Sequence, residues 1–306
     1  MINETFPKGY PHCVRCRKVL EDCGCAGWQG KYYPEVGEQP PGAPAGVGPP
    51  GAVPLLDHGY LALIESWGSD EAIIEAARMS TGKGFLGWDP GPCPTCHGEG
   101  FLEATHVTRC STCNGKGSHA GDAKLLRYLW EHKHATPFEM AGLTIEVQAP
   151  IFVFREWHRH RVPFGYNEMS ARYTPLPDLN YIPTVERLMI NAGGSNRQAG
   201  TVDGAEPLTV ERAQMFRDDL AGHYDRCEVM YQDALRSGVP KELARVHLPV
   251  GRYSRMRATG NLRGWLGFLT LRTAPDAQWE IRSYADAVAG LVAHAFPRTY
   301  ALWSMP

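Results

Sequence analysis

The sequence predicts an α+β fold: helices around half-buried strand, with two small zinc modules set apart from the core. Three observations predict it. Amphipathic helical patterns recur along the chain, as in "SDEAIIEAARMS" and "NLRGWLGFLTLR". "GLTIEVQ" alternates strictly between apolar and polar residues, and eight of the nine cysteines fall into close pairs.

The 306 residues are 43% hydrophobic and 10% aromatic, enough for one large domain or two smaller ones. Thirty-one basic against 33 acidic residues leave a formal charge of -2, which excludes a polycation that grips a nucleic-acid backbone nonspecifically. "MINETFPKGYPHC" has no apolar signal region, and no run approaches the roughly 20 apolar residues that span a bilayer. A soluble, intracellular, cytoplasmic protein without membrane contact is expected.

Residues 1–33 carry the first cysteine group, and residues 34–54, "PEVGEQPPGAPAGVGPPGAVP", are too rich in Pro and Gly for a helix or a sheet ladder, which predicts an extended linker. Residues 55–306 form the main domain, interrupted by a ribbon at 89–118. In "SDEAIIEAARMS", Ser69 is the expected N-cap, Asp70 and Glu71 lie in the positive first turn, and Ile73, Ile74 and Ala77 share a side. The glycine- and cysteine-rich stretch 84–120 breaks the pattern, which resumes at "DAKLLRYLWEHKH" with Leu125, Leu126, Leu129 and Trp130 on one face.

"GLTIEVQ" turns Leu143, Ile145 and Val147 inward as a strand. Pro150 suits the first position of a helix running through "IFVFREWHRHR" to Arg161, which would put Arg155 and Arg159 one turn apart, and likewise Glu156 and His160. Pro163 and Gly165 end it. Residues 192–206 read as a loop and about 207–236 as a long helix, with Gly238 and Pro240 marking the next boundary. In "NLRGWLGFLTLR" Asn261 is the N-cap and Leu262, Trp265, Leu266 and Leu269 are the buried stripe; a last helix spans about 277–295.

"CPTCHGEG" and "CSTCNGKG" are two copies of CxxCxGxG, nine residues apart. Two thiolates per CxxC suit one tetrahedral zinc, and the glycines let backbone amides turn toward the sulfurs. Cys93, Cys96, Cys110 and Cys113 are therefore expected to hold a structural zinc. Cys13, Cys16, Cys23 and Cys25, beside His12, form a less regular CxxC…CxC and are expected to hold a second. Free or redox-active thiols are the other reading of both groups. Four sulfurs per ion leave no open position for water, which argues against hydrolytic zinc. The repeats resemble the cysteine-rich zinc modules of DnaJ-type chaperones over about twenty-five residues. Cys227 stands apart, as a structural or incidental thiol.

"WHRHRVPFGYNEMSARY" interleaves Arg159, His160, Arg161 and Arg172 with Trp157, Phe164, Tyr166, Met169 and Tyr173. A merely solvated face would not carry five such side chains, whereas an aromatic, phosphorylated ligand wants guanidinium forks beside apolar faces. The stretch resembles the signature of flavin-dependent thymidylate synthases: Arg-His-Arg, seven residues, Ser, usually within RHRxxSxNExSxRY. "AARMS", "HATPFE", "APIFVFREW", "KELARVHLP", "NLRGWLGFLTLR" and "AQWEIR" follow in that family's order, so the resemblance covers residues 55–306.

It implies the family's antiparallel sheet with flanking helices, and reductive methylation of dUMP at C5, with 5,10-methylenetetrahydrofolate as carbon donor, NADPH as reductant and FAD between them. Matched position by position, Ser80, His134, Thr136, Glu139, Arg159, His160, Arg161, Asn167 and Glu168 resemble flavin-side residues, joined by Asn261, Arg263 and Leu271. Glu156, Ser170, Ala171, Arg172, Arg245 and Arg272 match the nucleotide side, with Ser170, Arg272 and Glu156 nearest the chemistry. An Arg beside the pyrimidine carbonyl would stabilise enolate-like charge as C5 attacks. A surface salt bridge is the other reading of Arg245 and Arg272. No cysteine lies near the motif, in keeping with a route that needs no thiolate attack on C6. The family also implies a homotetramer.

The chain departs from the pattern in places. Eight residues, "VPFGYNEM", separate Arg161 from Ser170, and Pro163, Phe164 and Gly165 stand where the small Ser is usual. Glu156 replaces a usual Gln, and Met140 and Asp276 replace histidines. Because an ionised Glu only accepts hydrogen bonds, dCMP as substrate, or a hydroxymethyl product, stays open as an alternative. A reading from another class is a zinc-bearing, non-catalytic scaffold that contacts nucleic acid or a protein partner.

Overall fold

The computed structural model describes residues 48–102, 108–190, 200–202 and 205–305. The N-terminal cysteine group, most of the linker and most of the 192–206 loop lie outside them. In chain order the elements are β1 (Val53–Leu55), β2 (Gly59–Trp67), α1 (Asp70–Arg78), β3 (Gly91–Pro92), β4 (Ser118–His119), α2 (Asp122–Glu131), β5 (Gly142–Pro150), α3 (Ile151–Trp157), β6 (Gly165–Glu168), α4 (Val185–Met189), α5 (Val210–Arg236), α6 (Lys241–Ala244), β7 (Tyr253–Asn261), α7 (Leu262–Arg272), α8 (Trp279–Ala295) and α9 (Pro297–Trp303). Short 3-10 turns lie at Met79–Thr81, Thr136–Glu139 and Arg245–His247. No described helix is long and apolar enough to cross a membrane.

The described chain divides into two compact units. The first comprises residues 48–64, Thr144–Thr259 and Phe268–Gly290. Its frame is the five-stranded sheet β1-β2-β5-β7-β6, in which β1 pairs antiparallel with β2 and β6 antiparallel with β7. The expected strand is β5, and its inward residues Ile145, Val147 and Ala149 are fully buried. Gly59 has a packing reason: a Cβ there would sit 2.0 Å from Tyr284 Oη, which donates to the Gln148 carbonyl at 2.7 Å. Trp157 stacks on Phe268, centroids 4.9 Å apart, and meets Tyr284 edge-on, making the aromatic floor beneath the end of α3.

Two expectations are corrected here. The linker does not run to residue 54, because Val53–Leu55 pairs with Gly59–Leu61; Pro54 is tolerated since β1 is an edge strand. The helix after Pro150 ends at Trp157, not Arg161, and Pro150 is its N-cap. The reason is Tyr166, whose Oη lies 2.5 Å from the His160 carbonyl and 3.3 Å from the Trp157 carbonyl, taking up acceptors at the helix end. Arg159 and Arg161 thus sit on a turn.

The second unit comprises Glu65–Leu143, Gly260–Gly267 and residues 291–305. Ser69 caps α1 as expected, its Oγ accepting from Ala72 N at 3.2 Å, and Ile73 and Ile74 are fully buried. Asp70 does more than favour the α1 dipole. Its buried carboxylate accepts from the N–H groups of Arg298 (2.8 Å) and Thr299 (3.1 Å) and from the Thr299 hydroxyl (2.6 Å), capping α9. Asn261 caps α7 through Gly264 N at 3.0 Å, and Leu262, Trp265 and Leu266 are buried as the stripe required. The paired β3 and β4 are the stalk of the cysteine ribbon.

Candidate active site and cysteine ribbon

Within the first unit the fold brings three candidates together. Arg272, at the end of α7, donates from Nη1 to Glu156 Oε2 (2.8 Å), from Nη2 to the Glu156 carbonyl (3.0 Å) and from Nε to His160 Nε2 (2.9 Å). Nε2 is therefore the acceptor, which puts the neutral ring's proton on Nδ1. Burial, then the Arg272 charge, bring the His160 pKa down to about 4. The His160 ring also stands edge-on to Phe268 at 4.9 Å. Arg159 and Arg161, on either side of it, are exposed and form no ion pair among the described residues.

A second group gathers around Glu242, a residue the sequence reading did not single out. Arg172 Nε donates to its carboxylate at 3.0 Å, Arg245 Nε approaches its carbonyl at 3.4 Å, and neighbouring Lys241 donates to the Tyr173 carbonyl at 2.9 Å. Ser170 Oγ accepts from Arg172 N at 3.3 Å, and Ala171 is buried beside it. The signal available was local: Glu242 lies one helical turn before Arg245. Both arginines are thus held at a carboxylate-bearing turn whose charge is exposed. Asn167 and Glu168 lie on β6, opposite Arg257 and Met256 of β7. Leu271 is exposed on α7. Tyr166 was likewise unassigned; burial pushes its hydroxyl well above the usual range, so it stays a protonated donor toward the His160 turn.

In the second unit Arg263 pairs with Glu139, which closes the 3-10 turn that begins at Thr136. His134 lies beside Tyr128, which stacks on His132 with centroids 4.0 Å apart. Ser80 is exposed on the turn that follows α1.

Also in this unit, Cys93, Cys96, Cys110 and Cys113 are buried, with all four sulfurs within 4.8 Å of one another. Sγ of Cys93 is 3.8 Å from that of Cys110, and Sγ of Cys96 3.7 Å from that of Cys113. A Zn–S bond of about 2.3 Å at tetrahedral angles puts sulfurs about 3.8 Å apart, so the donor set fits a four-coordinate zinc. Gly100 N and Gly117 N donate to the sulfurs of Cys96 and Cys113 at 3.2 and 3.3 Å. The repeats match residue for residue: His97 and Asn114 have φ near +50°, and a Cβ on Gly117 would lie 2.3 Å from the Gly98 carbonyl oxygen. Backbone N–H groups of Cys113 and Thr112 bring Cys110 down to about 6, while burial pushes Cys96 up to about 11. Four buried thiolates need a cation to coexist.

Comparison with known proteins places the chain. Residues 62–298 match the family model described as thymidylate synthase complementing protein. A flavin-dependent thymidylate synthase of Ruegeria pomeroyi is 35% identical over 250 residues, covering 81% of this chain and 72% of that protein. One from Thermosipho africanus is 34% identical over 246 residues, covering 80% and 91%. Among solved structures, a UMP/dUMP methylase, PolB of Streptomyces cacaoi bound with 5-Br UMP, superposes with a TM-score of 0.61 at 29% identity, covering 80% of this chain and 93% of that one. The chain belongs to the thymidylate synthase complementing family, and it is an enzyme of that kind.

Proposed function

We propose that this enzyme methylates C5 of dUMP to give dTMP. 5,10-Methylenetetrahydrofolate supplies the one-carbon unit and leaves as tetrahydrofolate, C5 gives up its proton, and NADPH supplies the hydride that completes the methyl group. A bound FAD would supply the redox step, taking electrons from NADPH and passing them to the pyrimidine. The observation that carries this reading is the Glu156–Arg272–His160 array, set beside two exposed guanidinium groups that form no ion pair among the described residues, in a segment that matches the family. The names of the relatives, and the 5-Br UMP and 5-Br dUMP bound to PolB, support a pyrimidine nucleotide as substrate.

The residues present fit an anionic flavin dinucleotide. Arg159 and Arg161 are exposed and offer guanidinium forks to phosphate oxygens. His160 is uncharged at neutral pH and adds no competing cation. Asn167, Glu168 and Leu271 are proposed as further flavin contacts of the first unit, and Ser80, His134, Thr136, Glu139, Asn261 and Arg263 as those of the second. Arg272 has spent three of its five N–H donors within the protein. The remaining two can hold the pyrimidine carbonyl oxygen and stabilise the negative charge that builds there as C5 attacks. Ser170 keeps its own O–H to donate to the nucleotide, and Arg172 and Arg245 take its phosphate in place of Glu242.

One observation favours a second reading. Glu156 Oε1 has no hydrogen-bond partner among the described residues, and a carboxylate oxygen there would accept from the 4-amino group of dCMP. The scaffold reading is set aside because the chain belongs to an enzyme family. We also read residues 89–118 as an inserted structural zinc ribbon, residues 1–33 as a second zinc module, and the assembly as a homotetramer. The test is optical: the purified protein with FAD should be yellow and should bleach on anaerobic addition of NADPH. Failure to retain or reduce flavin would refute the proposal.

A further inference from the structure

The cysteine ribbon enters the chain directly after the turn that carries Ser80, and one buried carboxylate ties the two together. Asp122, at the start of α2, is fully buried. Its Oδ2 accepts from Leu86 N at 2.7 Å, at the root of the stalk, and its Oδ1 pairs with the Arg78 guanidinium. Two backbone bonds, Asp122 N to the Gly87 carbonyl (2.8 Å) and Ala123 N to the Trp88 carbonyl (3.2 Å), close the stalk on Asp122 and its neighbour. Arg78 is the last residue of α1, and its carbonyl accepts from Thr81 Oγ1 (2.9 Å) and Lys83 N (3.4 Å), so it is the base of the Met79–Thr81 turn. A buried carboxylate with one cation beside it fixes that cation firmly, because separating them would strand a charge away from water.

We propose that Arg78 and Asp122 are positioning residues for flavin binding, holding the Ser80 turn and the ribbon stalk as one piece so that metal in the four-cysteine site is felt at Ser80. This rests on the reading of Ser80 as a flavin-side residue. The ribbon thereby acts as a strut for the cofactor site instead of an independent appendage. Asp122→Asn is the informative change, since it keeps an acceptor for Leu86 N and removes the charge that holds Arg78.

The test uses the full chain with its metal, titrated separately with FAD and with dUMP. Asp122→Asn should weaken FAD binding by about tenfold or more, as loss of an orienting partner does, and should leave dUMP affinity unchanged within about twofold. Adding Asp122→Asn to Ser80→Ala should produce no further loss. Hydrogen exchange should quicken over residues 79–86, both in Asp122→Asn and in the parent after the metal is chelated under reducing conditions. Unchanged FAD affinity, equal loss for both ligands, additivity with Ser80→Ala, or unchanged exchange after chelation would overturn the proposal. Ser80→Ala protein that binds FAD as the parent does would instead remove the reading of Ser80, and the proposal with it. Should Asp122→Asn fail to fold, Arg78→Lys, which keeps the charge but loses the fork, is judged by the same outcomes.

Discussion

Arg272 Nε lies 2.9 Å from His160 Nε2, so a fixed cation donates to an imidazole that would otherwise titrate near neutrality. The ring is thereby kept neutral beside two exposed arginines. Its folded-state pKa, brought down to about 4 by burial and by Arg272, lies below the unfolded value of about 6.5. Between those values the unfolded chain binds more protons, so this group's contribution to stability is complete above about pH 6.5 and is lost as pH falls toward 4.

The first prediction follows from that ordering. In an NMR titration the His160 resonance should stay at its neutral position from pH 8 down to about pH 5. In Arg272→Leu its midpoint should move upward, because the Coulombic part of the depression is gone while the burial part remains. A parent His160 titrating at its ordinary value would contradict the assigned contact.

Catalysis should be more sensitive to Arg272 than folding is. Arg272→Ala should lower kcat/KM by roughly a hundred- to a thousandfold, the usual range for a donor aimed at developing negative charge. Arg272→Lys should recover little, since one ammonium cannot serve Glu156, His160 and a carbonyl oxygen together. Steady-state kinetics on protein with unchanged circular dichroism checks both.

The four-thiol ribbon predicts a metal count. Cys110→Ser should reduce bound zinc by one ion per chain, measured by elemental analysis against the parent. An unchanged zinc content would show that these sulfurs hold no ion.

Asp70 predicts a stability effect remote from the chemistry. Asp70→Ala removes three hydrogen bonds from the start of α9 and leaves buried donors unpaired, a loss of about 2–3 kcal/mol. Urea denaturation should show a lower midpoint with an unchanged slope.

The parts of the fold legible in sequence were those with local causes. Ser69 and Asn261 announce helix starts through side chains that bond three residues on, and β5 shows its burial by strict alternation. What stayed hidden depends on distant partners or small residues. In β7, Arg255, Arg257 and Thr259 face out while Met256, Ala258 and Gly260 face in, an alternation whose inward half is too small to give a strong hydrophobic signal. The pattern was there to be found. α9 is capped by a carboxylate more than two hundred positions earlier, and the Arg272 array joins residues over a hundred positions apart. Family resemblance assigned those arginines, but only the fold shows which carboxylate each one holds; Glu242 is marked in the sequence only by its place one turn before Arg245, and Asp122 carries no mark of its role.

The most direct test of the central claim incubates the protein with FAD, NADPH, 5,10-methylenetetrahydrofolate and equal amounts of dUMP and dCMP, and reads nucleotide masses. The account predicts dTMP formed at the expense of dUMP, with dCMP untouched. Flavin-loaded protein that yields no dTMP, or that consumes dCMP or releases a hydroxymethylated nucleotide, would contradict it.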